Sequence, residues 1–218
     1  MAGLYVLFDL DGTLVDSGPA HLRAAAAAFA ERGIAADEAA LRRFLVAYDA
    51  RSADMAEDLY LDLWRRMQPL YRLEQPAIRP VAGIEQALAQ LASRDIGAGV
   101  VTSKRRWAVA AELANLGWTE RFPCVVCRED TSRHKPNPEP ILQAQRALGG
   151  QAACYVGDAP SDVLAARAAG LPAIGVAWGW AGAAALAAAG AEAVAATPSE
   201  LVPLLLGADL GAQRAADA

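Results

Sequence analysis

Residues Leu4 to Thr13 read LYVLFDLDGT: five apolar or aromatic side chains run without a break, and then Asp9 and Asp11 follow, two carboxylates one residue apart. A continuous apolar run of strand length that stops at an acid is the pattern of a parallel strand buried on both faces. Its carboxyl end, where the aspartates emerge, is the end at which open α/β sheets bind ligands.

Runs of the same type recur at Ile96 to Val101, Cys124 to Cys127, Ala153 to Val156 and Ala173 to Val176, with amphipathic stretches of helical length between successive members of this later series. The alternation predicts an α/β fold, a doubly wound parallel sheet with helices on both faces. Beyond Ile174 the chain offers one more helix, a short strand at Ala193 to Ala196 and a helix that begins at Ser199 after Pro198. The tail from Gly207 is expected to fray.

About eighty residues separate the first strand from the second, far more than a usual crossover. An inserted domain fits there, and its sequence reads as helical: Ala20 to Glu31 closed by Gly33, Glu38 to Tyr48, and Met55 to Met67, with Pro69, Pro76 and Pro80 as breakers. The expected organisation is an α/β core from 1–15 and 81–218 and a smaller α-helical cap domain over 16–80.

Composition narrows the class. The 218 residues are 55% hydrophobic, enough to bury a core. A net charge of -5, with Lys and Arg scattered among acids, argues against nucleic acid as a partner. The alanine-rich stretches are too short to span a bilayer, so no membrane segment is implied. The basic, apolar and small-residue sequence of a signal peptide is not seen, and a cytoplasmic location is the expectation. Cys124, Cys127 and Cys154 suit free thiols in a reducing compartment better than a disulfide framework.

Two like charges in a partly desolvated site destabilise each other unless a pKa rises or a cation binds, and a hard divalent ion is the natural partner of carboxylates. The fourth strand ends in GDAPSD, Gly157 to Asp162, which brings Asp158 and Asp162 to the same sheet edge if the strands are neighbours. Phosphate chemistry needs donors and positive charge as well, and Thr102, Ser103 and Lys135 sit just beyond the second and third strands.

Plainer readings exist for each residue. An isolated aspartate after a strand commonly caps a helix, Asp162 could serve a helix dipole, and Thr102 or Ser103 could cap the helix that follows. Lys104, Arg105 and Arg106 open a helix and read as a solvated face rather than a site. Cys124 and Cys127 have the spacing of half a zinc site, yet lack a second ligand pair and read as buried thiols. Trp178 and Trp180 could border a pocket or pack against helices, and His21, twelve residues after Asp9, could face substrate from the insert or be an ordinary histidine.

Taken together the motifs are specific. FDLDGTLVDS at Phe8 to Ser17, VVTSK at Val100 to Lys104, KPNPEP at Lys135 to Pro140 and GDAPSD at Gly157 to Asp162 make the chain similar to phosphatases of the haloacid dehalogenase-like superfamily, from Leu4 to about Leu206. The resemblance implies a Rossmann-like sheet with strand order 5-4-1-2-3. It implies that Asp9 attacks phosphorus, that Asp11 protonates the leaving oxygen and later acts as base, that Thr102 bonds the phosphoryl group, and that Lys135 pairs with Asp9 and phosphate. It further implies Mg²⁺ held by Asp9, the carbonyl of Asp11 and Asp158, with Asp162 closing the site directly or through water and Gly12 and Thr13 positioning the first loop; Ser103 and His21 are further candidates for substrate contact.

The expected partner is a small phosphorylated metabolite, phosphoglycolate first, with the chain a monomer or homodimer. A haloacid dehalogenase needs no acid for an alkoxide, whereas Asp11 is present. A phosphonate-cleaving relative needs a cap lysine, and the insert from Ser17 to Arg79 contains none. A sugar phosphomutase of the β-phosphoglucomutase type and a non-enzymatic cation-binding module are the rival readings.

Overall fold

A computed structural model describes residues 4–47, 53–149 and 152–207. These residues divide into two compact units, one made of those before 17 and from 80 onward, the other of 17–79.

The first unit is built on the strand read from the opening sequence, β1 (Leu4–Phe8). Strands β2 (Val15–Asp16) and β3 (Arg79–Pro80) mark where the chain leaves and re-enters this unit. The Val81 N–H donates to the Leu14 carbonyl at 3.0 Å, which ties the two passages together. The excursion between them carries three helices, α1 (Gly18–Glu31), α2 (Glu38–Val46) and α3 (Glu57–Glu74). After it come α4 (Ile84–Ala92), β4 (Ile96–Val101), α5 (Arg106–Asn115) and β5 (Val125–Val126). The chain continues through α6 (Glu139–Ala147), β6 (Ala152–Gly157), α7 (Pro160–Ala168), β7 (Ala173–Val176), α8 (Gly182–Ala188), β8 (Ala193–Ala195) and α9 (Pro198–Gly207).

Six strands form one sheet in the order β5-β4-β1-β6-β7-β8, every pair parallel. Counted along the chain, the five long runs of the sequence therefore read 3-2-1-4-5, with β8 outside β7. Adjacent positions Val6, Leu7 and Phe8 are all fully buried, as are Val100 and Val101, so both faces of the sheet are covered. One cover is a layer in which Leu7, Val101, Ile141, Ala144, Tyr155, Val163, Ala166 and Leu186 pack together. The consequence for function is topological: the carboxyl ends of β4, β1 and β6 lie side by side.

The second unit is helical. Asp37 caps α2, accepting the Ala40 N–H at 2.8 Å, and α3 packs mainly on α1. Pro69 does not end α3, as the sequence suggests it should; the helix runs on to Glu74 with the proline inside it. Tyr60, Leu63, Met67 and Tyr71 form a buried stripe that spans the proline, and their packing offsets a proline penalty of about 3 kcal/mol. Phe44 anchors α2 between Phe29 at 5.3 Å and Tyr60 at 5.6 Å, ring centre to ring centre. Tyr48, expected to end the second helix, and the tail beyond Gly207 lie outside the described residues.

Candidate active site

Asp9 is the first residue after β1, and its N–H donates to the Val156 carbonyl at 2.9 Å, so the strand ladder holds its backbone against β6. The loop then folds back: the N–H groups of Leu14 and Val15 donate to the Leu10 carbonyl at 2.9 and 3.0 Å, and Gly12 donates to Val15 at 2.9 Å. Gly12 has φ +77°, and a Cβ on it would stand 2.5 Å from Oδ2 of Asp158. The DGT turn thus needs glycine twice over, for its backbone and for the carboxylate beside it.

Asp158 follows β6 and is 1% exposed. Its Oδ1 accepts the Thr13 hydroxyl at 3.3 Å, and its Oδ2 accepts the Trp180 N–H at 2.8 Å. The indole of Trp178 donates to the Thr13 carbonyl at 3.2 Å, and Gly179 lies too close to Asp158 to carry a Cβ. The loop after β7 therefore braces both the first loop and the Asp158 carboxylate, a tie between distant segments that spacing along the chain does not reveal.

Lys135, in the loop after β5, reaches back to the same edge. Its ammonium donates to Asp9 at 2.8 Å, to Asp162 at 2.6 Å and to the Tyr155 hydroxyl at 3.0 Å. Tyr155 in turn donates to the Val101 carbonyl at 2.7 Å. Asp162, in the first turn of α7, divides its oxygens: Oδ2 accepts the Ala159 N–H at 3.0 Å while Oδ1 meets Lys135. Asp162 thus accepts a backbone N–H at the start of α7 and meets Lys135 with its other oxygen. Thr102 is buried just past β4, where its Oγ1 accepts the Lys104 N–H at 3.1 Å and its hydroxyl proton is left to donate elsewhere.

Asp9, Asp158 and Asp162 each offer an oxygen, and the three oxygens lie within 4.8 Å of one another. Burial pushes the Asp9 carboxyl up to about 7 against the opposing pull of Lys135, with the Asp162 and Asp11 charges adding to the rise. Burial, then the charges of Asp162 and Asp9, holds Asp158 well above the usual carboxylate range. Burial works against the Lys135 ammonium, but Asp162 and Asp9 more than offset it and keep its pKa high. Three buried, mutually repelling hard oxygen donors fit a small divalent ion such as Mg²⁺, which relieves that repulsion.

The Asp11 carboxylate has a partner the sequence did not disclose. Lys104, read as part of a solvated helix face, has a side chain only 7% exposed, with its ammonium 2.7 Å from Asp11 and 2.5 Å from Glu112. The solvated reading holds for Arg105 and Arg106, which are exposed, the latter paired with Asp130. Lys104 turns inward because α5 presents Glu112 on the face it buries with Ala108, Val109 and Leu113. An acid at a core position of that helix was the signal that a cation had to meet it. Tyr155 was likewise missed, since it reads as one more apolar strand residue.

Ser103 is exposed. His21 belongs to the helical unit, where its Nδ1 lies 2.9 Å from the Ser17 carbonyl and its ring 4.4 Å from that of Tyr71. Cys124, Cys127 and Cys154 are buried free thiols. Burial raises the Cys127 thiol to about 11 and the Cys154 thiol to about 12. No described helix is long and apolar enough to cross a membrane.

Comparison with known proteins adds a family and a set of relatives. Residues 6–176 match the family described as haloacid dehalogenase-like hydrolase. A phosphoglycolate phosphatase of Xanthomonas campestris pv. campestris (strain 8004) is 34% identical over 184 residues, covering 80% of this chain and 83% of the relative. A phosphoglycolate phosphatase of Yersinia pestis is 30% identical over 217 residues, covering 92% of each. Among solved structures, a haloacid dehalogenase-like family hydrolase of Streptococcus pneumoniae shares the fold with a TM-score of 0.82 at 23% identity, covering 93% of this chain and 98% of that one.

Proposed function

Because the chain belongs to the haloacid dehalogenase-like hydrolase family, as a phosphoric monoester hydrolase, we propose that it is a Mg²⁺-dependent phosphatase that works through phosphorylated Asp9 on a small substrate such as phosphoglycolate. The observation that carries this reading is the ammonium of Lys135 set between Asp9 and Asp162, beside the third buried carboxylate of Asp158.

In the first step an Asp9 oxygen forms a bond to phosphorus as the bond to the leaving oxygen breaks, and Asp11 gives that oxygen its proton. In the second step Asp11 takes a proton from water, which attacks phosphorus and releases inorganic phosphate with Asp9 restored. Lys135 orients Asp9 and offsets charge on the phosphoryl oxygens, and the spare hydroxyl proton of Thr102 serves one of those oxygens. Asp9, Asp158, Asp162 and the Asp11 carbonyl would hold a magnesium ion, which would supply positive charge to stabilise the phosphoryl oxygens. Thr13, Gly12 and the Trp178 to Trp180 loop keep Asp158 fixed for that purpose.

The helical unit of 17–79 serves as the cap domain in this reading, and His21 on it and Ser103, exposed just past β4 in the other unit, are the candidates for substrate contact. It contains no lysine for a Schiff base, which disfavours phosphonate cleavage. Relatives named phosphoglycolate phosphatase at 34% and 30% identity support the substrate class.

The test is release of inorganic phosphate from a panel of phosphorylated metabolites that includes 2-phosphoglycolate, with Mg²⁺ and with excess chelator. Turnover on small phosphomonoesters that vanishes with chelator and returns with Mg²⁺ is expected. Undiminished turnover in chelator would overturn the metal dependence, and inactivity on the whole panel would overturn the phosphatase reading.

A further inference from the structure

The chain contains only two lysines, Lys104 and Lys135, among 20 basic residues; every other one is arginine. Both are buried in the first unit, and each sets one ammonium between two carboxylates. Lys135 joins Asp9 to Asp162, with side-chain exposures of 5%, 11% and 2%. Lys104 joins Asp11 to Glu112, with exposures of 7%, 20% and 0%. A compact ammonium with three rotatable donors can bridge two facing carboxylates in less room than the longer, planar guanidinium fork. The arrangement is therefore duplicated: each of the two reacting aspartates of the proposed mechanism has its own lysine, and each lysine is moored to a second buried acid.

Glu112 is costly where it stands. A carboxylate on the buried face of α5 loses its hydration, and nothing in the packing of Ala108, Val109 and Leu113 requires an acid there. Mooring Lys104 gives it a purpose. The backbone at Lys104 is held as well, its N–H on Thr102 Oγ1 at 3.1 Å and its carbonyl accepting the Arg128 N–H at 2.9 Å. Its ammonium is thus fixed from both ends of the residue.

We propose that Lys104, moored by Glu112, is a positioning residue for Asp11, holding its carboxyl in the orientation from which it serves the leaving oxygen. The proposal rests on the acid role assigned to Asp11 above. Lys104 acts through Asp11 and not through the phosphoryl group, which Lys135 serves. A conserved charge without the compact shape, as in Lys104→Arg, displaces Asp11 and does not restore the function.

Leaving groups separate this role from a merely structural one. An alkyl phosphomonoester such as 2-phosphoglycolate needs a proton on its departing oxygen, whereas p-nitrophenolate departs without one. Lys104→Met is expected to lower kcat on 2-phosphoglycolate by about 10²-fold, with less than a tenfold loss on p-nitrophenyl phosphate and little change in KM. Since Lys104→Met alone leaves Glu112 buried without its cation, the double variant Lys104→Met with Glu112→Gln is measured beside it, and the same selective loss is expected in a fully folded protein. Equal losses on both substrates, no loss on either, or a raised KM with unchanged kcat would overturn the proposal. Asp11→Asn is the reference: a selective loss there but not in the lysine variants defeats only the positioning role, while its absence there defeats the acid reading of Asp11 and the proposal together.

Discussion

A Cβ placed on Gly12 would come within 2.5 Å of the Asp158 carboxylate, so the first loop and the end of β6 are fitted to each other at a single glycine. Gly12→Ala is expected to cost about 1–3 kcal/mol of stability, from its φ of +77° and from the displaced carboxylate, and to weaken metal-dependent turnover at least about tenfold. Denaturant melts and turnover across a magnesium titration check both parts. An alanine variant of unchanged stability and activity would show that the contact is relaxed in solution.

Asp9→Asn removes the nucleophile of the proposed mechanism while nearly preserving shape, and Lys135 can still donate to the amide oxygen. Turnover is expected to fall by at least about 10³-fold with the melting temperature not lowered. Near-normal turnover in a preparation shown by mass spectrometry to be free of deamidation would remove Asp9 from its role.

The raised Asp9 and Asp158 carboxyls set a pH dependence for the metal-free protein. With a folded pKa of about 7 against 3.8 when unfolded, Asp9 binds more protons in the folded state between those values. Its contribution to stability is therefore greatest below 3.8 and is lost as pH rises through about 7, and Asp158 acts in the same direction. Mg²⁺ favours the ionised carboxylates, so the rise in melting temperature on adding it is expected to widen from about pH 5 to about pH 8. A rise that is constant or shrinks over that range would contradict this.

Cys124→Ser with Cys127→Ser is expected to leave activity and metal content unchanged and to cost about 1–3 kcal/mol, the effect of hydroxyls in apolar surroundings. Native protein should resist thiol reagents, since burial holds the Cys127 thiol near 11. Stoichiometric zinc that is lost with the double change would overturn the assignment of these cysteines as packing residues.

In the proposed mechanism, hydrolysis and phosphomutase activity differ in whether water reaches phosphorylated Asp9. Incubation with a hexose 1-phosphate and its bisphosphate is expected to release inorganic phosphate with no appreciable 6-phosphate isomer. Isomer formed faster than phosphate would show that phosphorylated Asp9 is shielded from water and that the mutase reading is correct.

The sequence alone determined the strands and put carboxylates at their ends. Continuous apolar runs such as Leu4 to Phe8 and Ala153 to Val156 can be satisfied only with both faces covered, and Asp9 and Asp158 stand at or just past their ends. That β1 and β6 are neighbours, with Phe8 paired to Val156, was decided by the tertiary structure, and it is what brings those aspartates together. Spacing could not say which of three consecutive basic residues turns inward, nor that Tyr155 and Glu112 carry polar tasks inside apolar segments. Those outcomes depend on what faces each side chain across the fold: Lys104 is drawn in by an acid eight residues on that α5 buries, and Lys135 by two carboxylates and a hydroxyl from β1, β6 and α7. Desolvated charges take the partner that tertiary packing places within reach, and that choice is not written in the order of residues.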